Sequence, residues 1–143
     1  MARTPVFPIP GDGRFLRQPL YNRDFCRVIL ACLDTDRAGQ AYDIVGAEDI
    51  DYVDIIKTIR EVKDLRTIIL HIPFGFFDWL LRVAARLLRK PPFTSSQLKA
   101  LAAGDYFSGV DIRREFGVEP TPFADAMRET FTHPVYSGIV VGR

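Results

Sequence analysis

The sequence has almost no net charge and very little cysteine. Its 143 residues carry 19 Lys and Arg against 18 Asp and Glu, a formal net charge of +1. Because nucleic-acid-binding proteins normally show a basic excess, we expect no nucleic-acid partner. The two cysteines, Cys26 and Cys32, are separated by about 600° of helical rotation, so they face different directions and cannot easily form a disulfide. This pattern predicts two buried thiols in a reducing compartment.

The chain also lacks the segments that direct proteins into or across membranes. Its N-terminal residues show no basic-then-apolar secretory pattern. No apolar run approaches the ~20 residues that a membrane-spanning helix needs. We therefore expect a cytoplasmic protein.

Glycine-rich phosphate-binding motifs are missing as well. Gly11 and Gly13 begin the G-x-G-x-x-G spacing of dinucleotide-binding loops, but Leu16 stands in the third glycine's place. The residues that follow are strand-like, whereas the motif must open a helix. No Gly-Lys-Ser or Gly-Lys-Thr sequence, as in a Walker loop, occurs. We expect no cofactor-binding residue in this chain.

Mixed helix and strand patterns are what the sequence does contain. Residues 6–10 predict an edge or connecting segment, and strands are predicted at about 17–22, 40–46 and 66–72. Helices are predicted at about 23–36, 51–62, 74–89, 95–103, 112–116 and 122–131. The fold class is α/β of a small α+β type, mostly helical with about three short strands. We expect one domain over 1–143, with a core at 6–131 and an irregular tail at 132–143.

Several helix boundaries have local signals. Thr94 followed by Gln97 is a capping-box pattern. Asp111 and Gly117 are placed to begin and end a short helix, and Asp51 can cap the helix that follows it.

Residues 11–24 combine a glycine turn with Arg17, Tyr21 and Asp24 at the spacing Arg-x-x-x-Tyr-x-x-Asp. This segment resembles the one that enters the substrate-binding lobe of extended short-chain dehydrogenases/reductases, the NAD-dependent sugar-nucleotide epimerases and dehydratases. Asn22 departs from the family's usual valine. Residues 39–59, 69–77 and 93–131 are similar to later passages of the same family, in the same order. The resemblance covers nearly all of 6–131 and implies a C-terminal substrate-binding lobe whose Rossmann domain is lacking.

The resemblance implies three substrate-binding residues, Arg17, Tyr21 and Asp105. Arg17 matches the family's phosphate-binding arginine, whose guanidinium can form a bidentate contact with a diphosphate. The alternative is an ion pair of Arg17 with Asp24 or at the surface. Tyr21 could equally be a buried aromatic with a satisfied hydroxyl, and Asp24 is expected to be the N-cap of its helix.

Asp105 matches the aspartate of the family's Arg-Pro-Gly-Asp motif near the ribose. The motif's arginine is absent, because Leu101 and Ala102 stand where arginines are common. This departure puts the usual uridine-diphosphate substrate in doubt, and a turn or capping role for Asp105 is the alternative.

The family's chemical machinery is not found in this sequence. No Thr-Gly-x-x-Gly-x-x-Gly loop occurs, and none of the five tyrosines is followed four residues later by lysine. The resemblance therefore implies that this chain has no catalytic residue and is not catalytic alone. It also implies that NAD(P) is bound only by the family's N-terminal domain. The implied partners are that missing domain or another chain, and a nucleotide-sugar-like small molecule.

The two histidines give no metal site. His71 and His133 lie far apart and have no cysteine or carboxylate at ligand spacing. We expect His71, in an apolar strand segment, to be a core or edge histidine.

The predicted helix 74–90 supports an alternative function. Its basic residues Arg82, Arg86, Arg89 and Lys90 fall on one face, and apolar and aromatic residues fill much of the rest. Such a helix could make the chain a non-enzymatic interaction module for a partner protein or an anionic membrane surface. A core helix with a solvated basic face has the same pattern, so a membrane surface is not the expected partner.

Overall fold

A computed structural model describes residues 5–34, 37, 39–87, 94–104 and 106–137 of the chain. Its strands are β1 (Val6–Pro10), β2 (Leu16–Arg17), β3 (Ile50–Asp51) and β4 (Ile68–Ile72). Its helices are α1 (Asn22–Asp34), α2 (Tyr52–Val62), α3 (Phe74–Leu87), α4 (Ser95–Ala103), α5 (Ile112–Phe116), α6 (Phe123–Thr132) and α7 (Pro134–Ser137). The predicted α/β class, mostly helical with a few short strands, is confirmed.

The chain divides into two compact units. Unit 1 comprises Met1–Arg17 and Asp51–Asp105, and unit 2 comprises Gln18–Ile50 and Tyr106–Arg143. Each unit is thus built from two separate stretches of the sequence.

Unit 1 is organised around a parallel pair of strands. β1 pairs with β4 in the register Val6 to Ile68 through Pro10 to Ile72. Ile9 of β1 is fully buried and forms the core with Val53 and Ile56 of α2. The C-terminal end of β1, where Ile9 and Pro10 are both buried, therefore joins the core of unit 1.

The glycine turn after β1 packs on this core. Gly13 has a positive φ of 73°, and a Cβ there would lie 2.8 Å from Ile9 Cγ2 and 2.9 Å from Val53 Cβ. Its carbonyl accepts a hydrogen bond from the Val53 N–H at 3.0 Å. Only glycine fits this position, because the turn must both adopt positive φ and approach the core closely.

Unit 2 packs α1 against α5 and the segment that follows it. Val28, Ile112 and Val118 form its buried core, with Cys32 and Ile44 partly buried against them. Cys26 is exposed and both thiols are free, so the prediction of two buried thiols is wrong for Cys26. Position 26 lies on the face of α1 turned away from this core.

Most local helix signals are confirmed. Thr94 accepts a hydrogen bond from the Gln97 N–H and the reciprocal bond of the capping box is present. The Asp111 carboxylate accepts from two N–H groups at the start of α5, and Gly117 ends the helix in the left-handed conformation with φ 67°. Asp51 precedes α2, but its side chain makes no capping bond.

The predicted strand at 40–46 is absent, since these residues belong to no strand. The strand predicted at 17–22 is reduced to β2, Leu16–Arg17. An alternating pattern supplies only the side-chain periodicity, and a strand also needs a neighbouring backbone to bond. Residues 40–46 make isolated backbone bonds, from the Val110 N–H to the Asp43 carbonyl at 2.9 Å and from the Gly46 N–H to the Gln18 carbonyl at 3.3 Å, and these do not extend into a strand ladder. The tail expected to be irregular contains α7, and residues 138–143 lie outside the described part.

Candidate functional site

Arg17 lies at the end of β2 in unit 1 and is partly buried. Its guanidinium donates to the carbonyl of Leu101 at 2.7 Å and to the carbonyl of Leu16 at 3.3 Å. Leu101 belongs to the last turn of α4, where a positive charge interacts favourably with the helix dipole. The arginine is therefore fixed in place by backbone carbonyls, which orients its charge.

Tyr21 lies in unit 2 and is partly buried beside Glu129. Burial, first, and then the Glu129 carboxylate raise the pKa of Tyr21, while Arg23 opposes the rise. The same contact with Tyr21 lowers the pKa of Glu129, and the ion pair with Arg23 lowers it further. Tyr21 thus lies beside the Arg23–Glu129 ion pair of unit 2, but its buried hydroxyl makes no hydrogen bond to a described residue.

The three predicted site residues are not assembled within one described unit. Arg17 belongs to unit 1 and Tyr21 to unit 2. Asp105 lies outside the described residues. Their joint role in substrate binding therefore remains a prediction.

Asp24 is not the N-cap of α1, because the helix begins at Asn22 and Asp24 lies in its first turn. Its carboxylate is 2 % exposed and accepts from the Thr121 N–H at 2.7 Å and the Thr121 hydroxyl at 2.9 Å. Arg27, one helical turn further on, donates to the same carboxylate at 3.1 Å. Asp24 therefore fastens α1 to the segment before α6, which is a structural role.

Unit 1 contains an apolar cavity of about 470 Å³ that the sequence did not reveal. β1, α2, β4, α3 and α4 all contribute to it. The lining residues are Phe7, Pro8, Pro10, Tyr52, Ile72, Phe77, Leu80, Leu81, Ala84 and Leu101. The available signal was the run of apolar residues in α3, but helix periodicity alone cannot distinguish a packed core from a cavity wall.

Among the residues that the structure describes, none with a charged side chain lines the cavity. Tyr52 is the single one of these lining residues with a polar side-chain atom. Burial raises the pKa of Tyr52, and the positive charge of Arg17 offsets part of that rise. The Tyr52 hydroxyl consequently stays neutral near pH 7 and can donate or accept a hydrogen bond.

Unit 2 contains a second cavity of about 410 Å³ with a more polar wall. Its charged lining residues already have structural partners: Asp111 caps α5, and Arg113 forms an ion pair with Glu119. These side chains are engaged within the fold, so the second cavity is the weaker candidate.

Helix α3 is unusual because none of its 14 residues is fully buried. Phe76 and Trp79 stack with ring centroids 5.7 Å apart and are 56 % and 57 % exposed. Arg82 pairs with Asp78 at 2.7 Å, and Arg86 is exposed. Arg89 and Lys90, predicted to complete the basic face, lie outside the described residues.

Neither a metal centre nor a membrane-spanning helix is found in the described ranges. No group of three or more His, Cys, Asp or Glu is close enough to bind an ion there. None of the helices is long and apolar enough to cross a membrane. His71 is an exposed edge residue on β4 whose Nδ1 lies 3.1 Å from the Gly11 carbonyl oxygen.

Solved structures share the fold, whereas no family model and no curated protein matches the chain. The protein gox2253 matches 87% of this chain and 37% of its own chain, with a TM-score of 0.59 and 18% identity. The triphenylmethane reductase of Citrobacter sp., complexed with NADP(H), matches 85% of this chain and 44% of its own, with a TM-score of 0.57 and 12% identity.

A UDP-glucuronic acid 4-epimerase from Bacillus cereus, in complex with NAD, matches at 20% identity over 90% of this chain and 35% of its own. Its TM-score of 0.39 is too low to support an argument. This chain spans less than half the length of each of these structures. The chain therefore shares its fold with part of gox2253 and with part of the triphenylmethane reductase.

Proposed function

We propose that this chain is the C-terminal, substrate-side portion of an NAD(P)-dependent reductase- or epimerase-like protein and is not catalytic alone. Two facts support this. Its fold is shared with less than half of each similar structure, and its sequence has neither a dinucleotide loop nor a Tyr-x-x-x-Lys pair. In this proposal, a Rossmann domain, which belongs to another part of the same protein or to another chain, binds NAD(P) and carries the catalytic residues.

The observation that carries the proposal is the exposed apolar face of α1 in unit 2. On this helix, Phe25, Ile29, Leu30 and Leu33 are 43 % to 76 % exposed. A partner domain that covered this helix face would remove these side chains from water, since exposed apolar patches mark interaction surfaces.

The ligand of this portion is proposed to be a nucleotide-sugar-like molecule bound through Arg17, Tyr21 and Asp105. The fixed guanidinium of Arg17 suits a diphosphate, because charge-assisted bidentate bonds are strong and geometrically specific. The chain is expected to retain only weak affinity without its partner, because part of the site would be missing.

Calorimetric titration of the purified chain tests this proposal. Several nucleotide sugars and NADPH are titrated into the native chain, Arg17→Ala and Arg17→Lys. We expect saturable binding of at least one nucleotide sugar, weakened about tenfold or more in Arg17→Ala by loss of the charge-assisted bond. Arg14→Ala, which removes an exposed arginine three residues away, is the matched control and should bind normally.

Two results would contradict the proposal. Identical heats for the native chain and Arg17→Ala would remove Arg17 from the site. Stoichiometric, saturable binding of NADPH would show that this chain binds the dinucleotide itself. The assignment of NAD(P) binding to a separate Rossmann domain would then be wrong.

A second candidate function is an interaction module that uses α3. The exposed Phe76–Trp79 pair and the exposed Arg86 support it, because aromatic and basic residues together bind anionic membrane surfaces. Co-sedimentation with vesicles of neutral lipid and with vesicles containing anionic lipid tests the membrane version. Binding should increase with the fraction of anionic lipid and decrease in Trp79→Ala. Binding that does not depend on lipid charge would exclude the membrane version.

A further inference from the structure

The apolar cavity of unit 1 has the dimensions of a small-molecule site. Its volume of about 470 Å³ lies within the roughly 300–1,000 Å³ of ligand pockets. Five elements of one unit line it, so the cavity lies within unit 1. It is therefore a concave site and not merely an exposed helix face.

Helix α3 forms one wall of this cavity instead of joining the core. Phe77, Leu80, Leu81 and Ala84 line the space, yet no residue of the helix is fully buried. Apolar side chains that line such a pocket have no protein atoms in contact on that side. A ligand in the cavity would supply those contacts and remove apolar surface from water.

The chemistry of the wall restricts what can enter. The described lining residues have no charged side chain, so a carboxylate, phosphate or ammonium group among them would lose its hydration without a partner. Apolar cavities of this kind take up apolar molecules readily. Tyr52 adds one hydrogen-bonding group, enough to orient a ligand but not to bind a polar one.

We propose that this cavity binds an uncharged, mostly apolar small molecule with a single hydroxyl or carbonyl group that hydrogen-bonds to Tyr52. This site goes beyond the proposed function, because its ligand is uncharged and mostly apolar, although Arg17 lies beside the cavity and bonds the carbonyl of the lining residue Leu101. A nucleotide sugar, which carries a diphosphate, does not fit this chemistry.

A chain-length series of primary alcohols, from butan-1-ol to decan-1-ol, tests the proposal on the purified chain. Affinity measured by calorimetry should rise about fourfold per added methylene until the cavity is filled. Alkanoates of the same length at about pH 8 should bind at least tenfold more weakly, because their carboxylate cannot be buried unpaired. Affinity that is independent of chain length, or alkanoates that bind better than alcohols, would overturn the proposal.

Two pairs of variants locate the ligand. Ala84→Phe fills the cavity and should abolish binding, whereas Ala85→Phe adds the same ring on the exposed side of α3 and should not. Tyr52→Phe should weaken the alcohols about fivefold by loss of one hydrogen bond. Tyr106→Phe, at an exposed tyrosine of unit 2, should have no effect.

One further variant keeps the test decisive if Ala84→Phe fails to fold. Leu81→Ala enlarges the cavity, and the chain length that binds best should then become longer. Unchanged length preference in Leu81→Ala would contradict the proposed location. Sedimentation velocity measures the oligomeric state with and without decan-1-ol, and we expect a monomer in both. If decan-1-ol bound only when the chain dimerised, the cavity would belong to an interface between two copies, and the ligand proposal would be overturned.

The experiments distinguish failure of the apolar-ligand proposal from failure of the proposed function. Loss of alcohol binding in Ala84→Phe with nucleotide-sugar binding intact supports two separate sites. Competition between decan-1-ol and a nucleotide sugar for one site would overturn the inference that the apolar cavity has a ligand of its own.

Discussion

Unit 1 and unit 2 are stabilised by different kinds of contact. In unit 1 the buried residues are mainly apolar, with Ile9 fully buried between β4 and α2, and an apolar cavity lies in the same unit. In unit 2 long-range polar contacts are prominent. The buried Asp24 binds Thr121, and Arg37 binds Glu115 at 2.5 Å.

This difference indicates which substitutions should destabilise each unit and which should not. Apolar packing depends on filled volume, so unit 1 should be sensitive to truncation but can accept an additional apolar group. Buried polar contacts depend on both partners being present, because a single unsatisfied group carries the full desolvation cost. Unit 2 should therefore be sensitive to the loss of one side-chain oxygen and to acid.

The largest expected effect is on the core of unit 1. Ile9→Ala should lower the free energy of unfolding of unit 1 by about 3–4 kcal/mol, because a fully buried isoleucine leaves a cavity. Urea unfolding followed by fluorescence measures it, since Trp79 is the single tryptophan and lies in unit 1. Ile68→Ala, at a 64 % exposed position of β4, is the control and should cost less than about 1 kcal/mol.

The second effect sharpens the contrast with unit 2. Asp24→Ala should lower the free energy of unfolding by about 2–3 kcal/mol, because the Thr121 N–H and hydroxyl lose their buried acceptor. Circular dichroism should detect the loss. Asp125→Ala, at an exposed acid of α6, should be nearly neutral. Equal costs for both variants would refute a special role for the buried carboxylate.

Two glycines should respond in opposite directions. Gly117→Ala in unit 2 should destabilise by about 1 kcal/mol, because this helix end has φ 67°. Gly75→Ala in unit 1 should stabilise by up to about 1 kcal/mol, because it lies in α3 and an added Cβ would meet no atom within 4 Å. Thermal unfolding of both variants gives the signs, and a stabilising Gly117→Ala would contradict the assigned helix end.

The smallest effect concerns acid stability. The contact with Tyr21 and the ion pair with Arg23 lower the pKa of Glu129 below its ordinary value of 4.5. Stability from this group is therefore present above about pH 4.5 and is lost as the pH falls through the lowered pKa. Glu129→Gln should flatten that acid-induced decrease in urea midpoint, whereas Glu61→Gln, at an exposed glutamate of unit 1, should leave the profile unchanged.

Local sequence signals predicted much of the helical structure. The capping box of Thr94 and Gln97 and the Asp111–Gly117 pair were recognisable because each bond is made within a few residues of the chain. The site was less predictable. Arg17 was identified through a family resemblance, but the carbonyl that fixes it belongs to Leu101, 84 residues away. The apolar run of α3 was an insufficient signal for the cavity, because the wall is drawn from five elements.

The amino-acid sequence by itself determined the α/β class, the positions of the main helices and several of their ends. These features follow from side-chain periodicity and from hydrogen bonds between near neighbours in the chain. The tertiary structure alone decided that 40–46 forms no strand, that Asp24 binds Thr121 across 97 residues, and that α3 encloses a cavity. Each of these depends on which distant backbone or side chain is available as a partner, and periodicity carries no information about that.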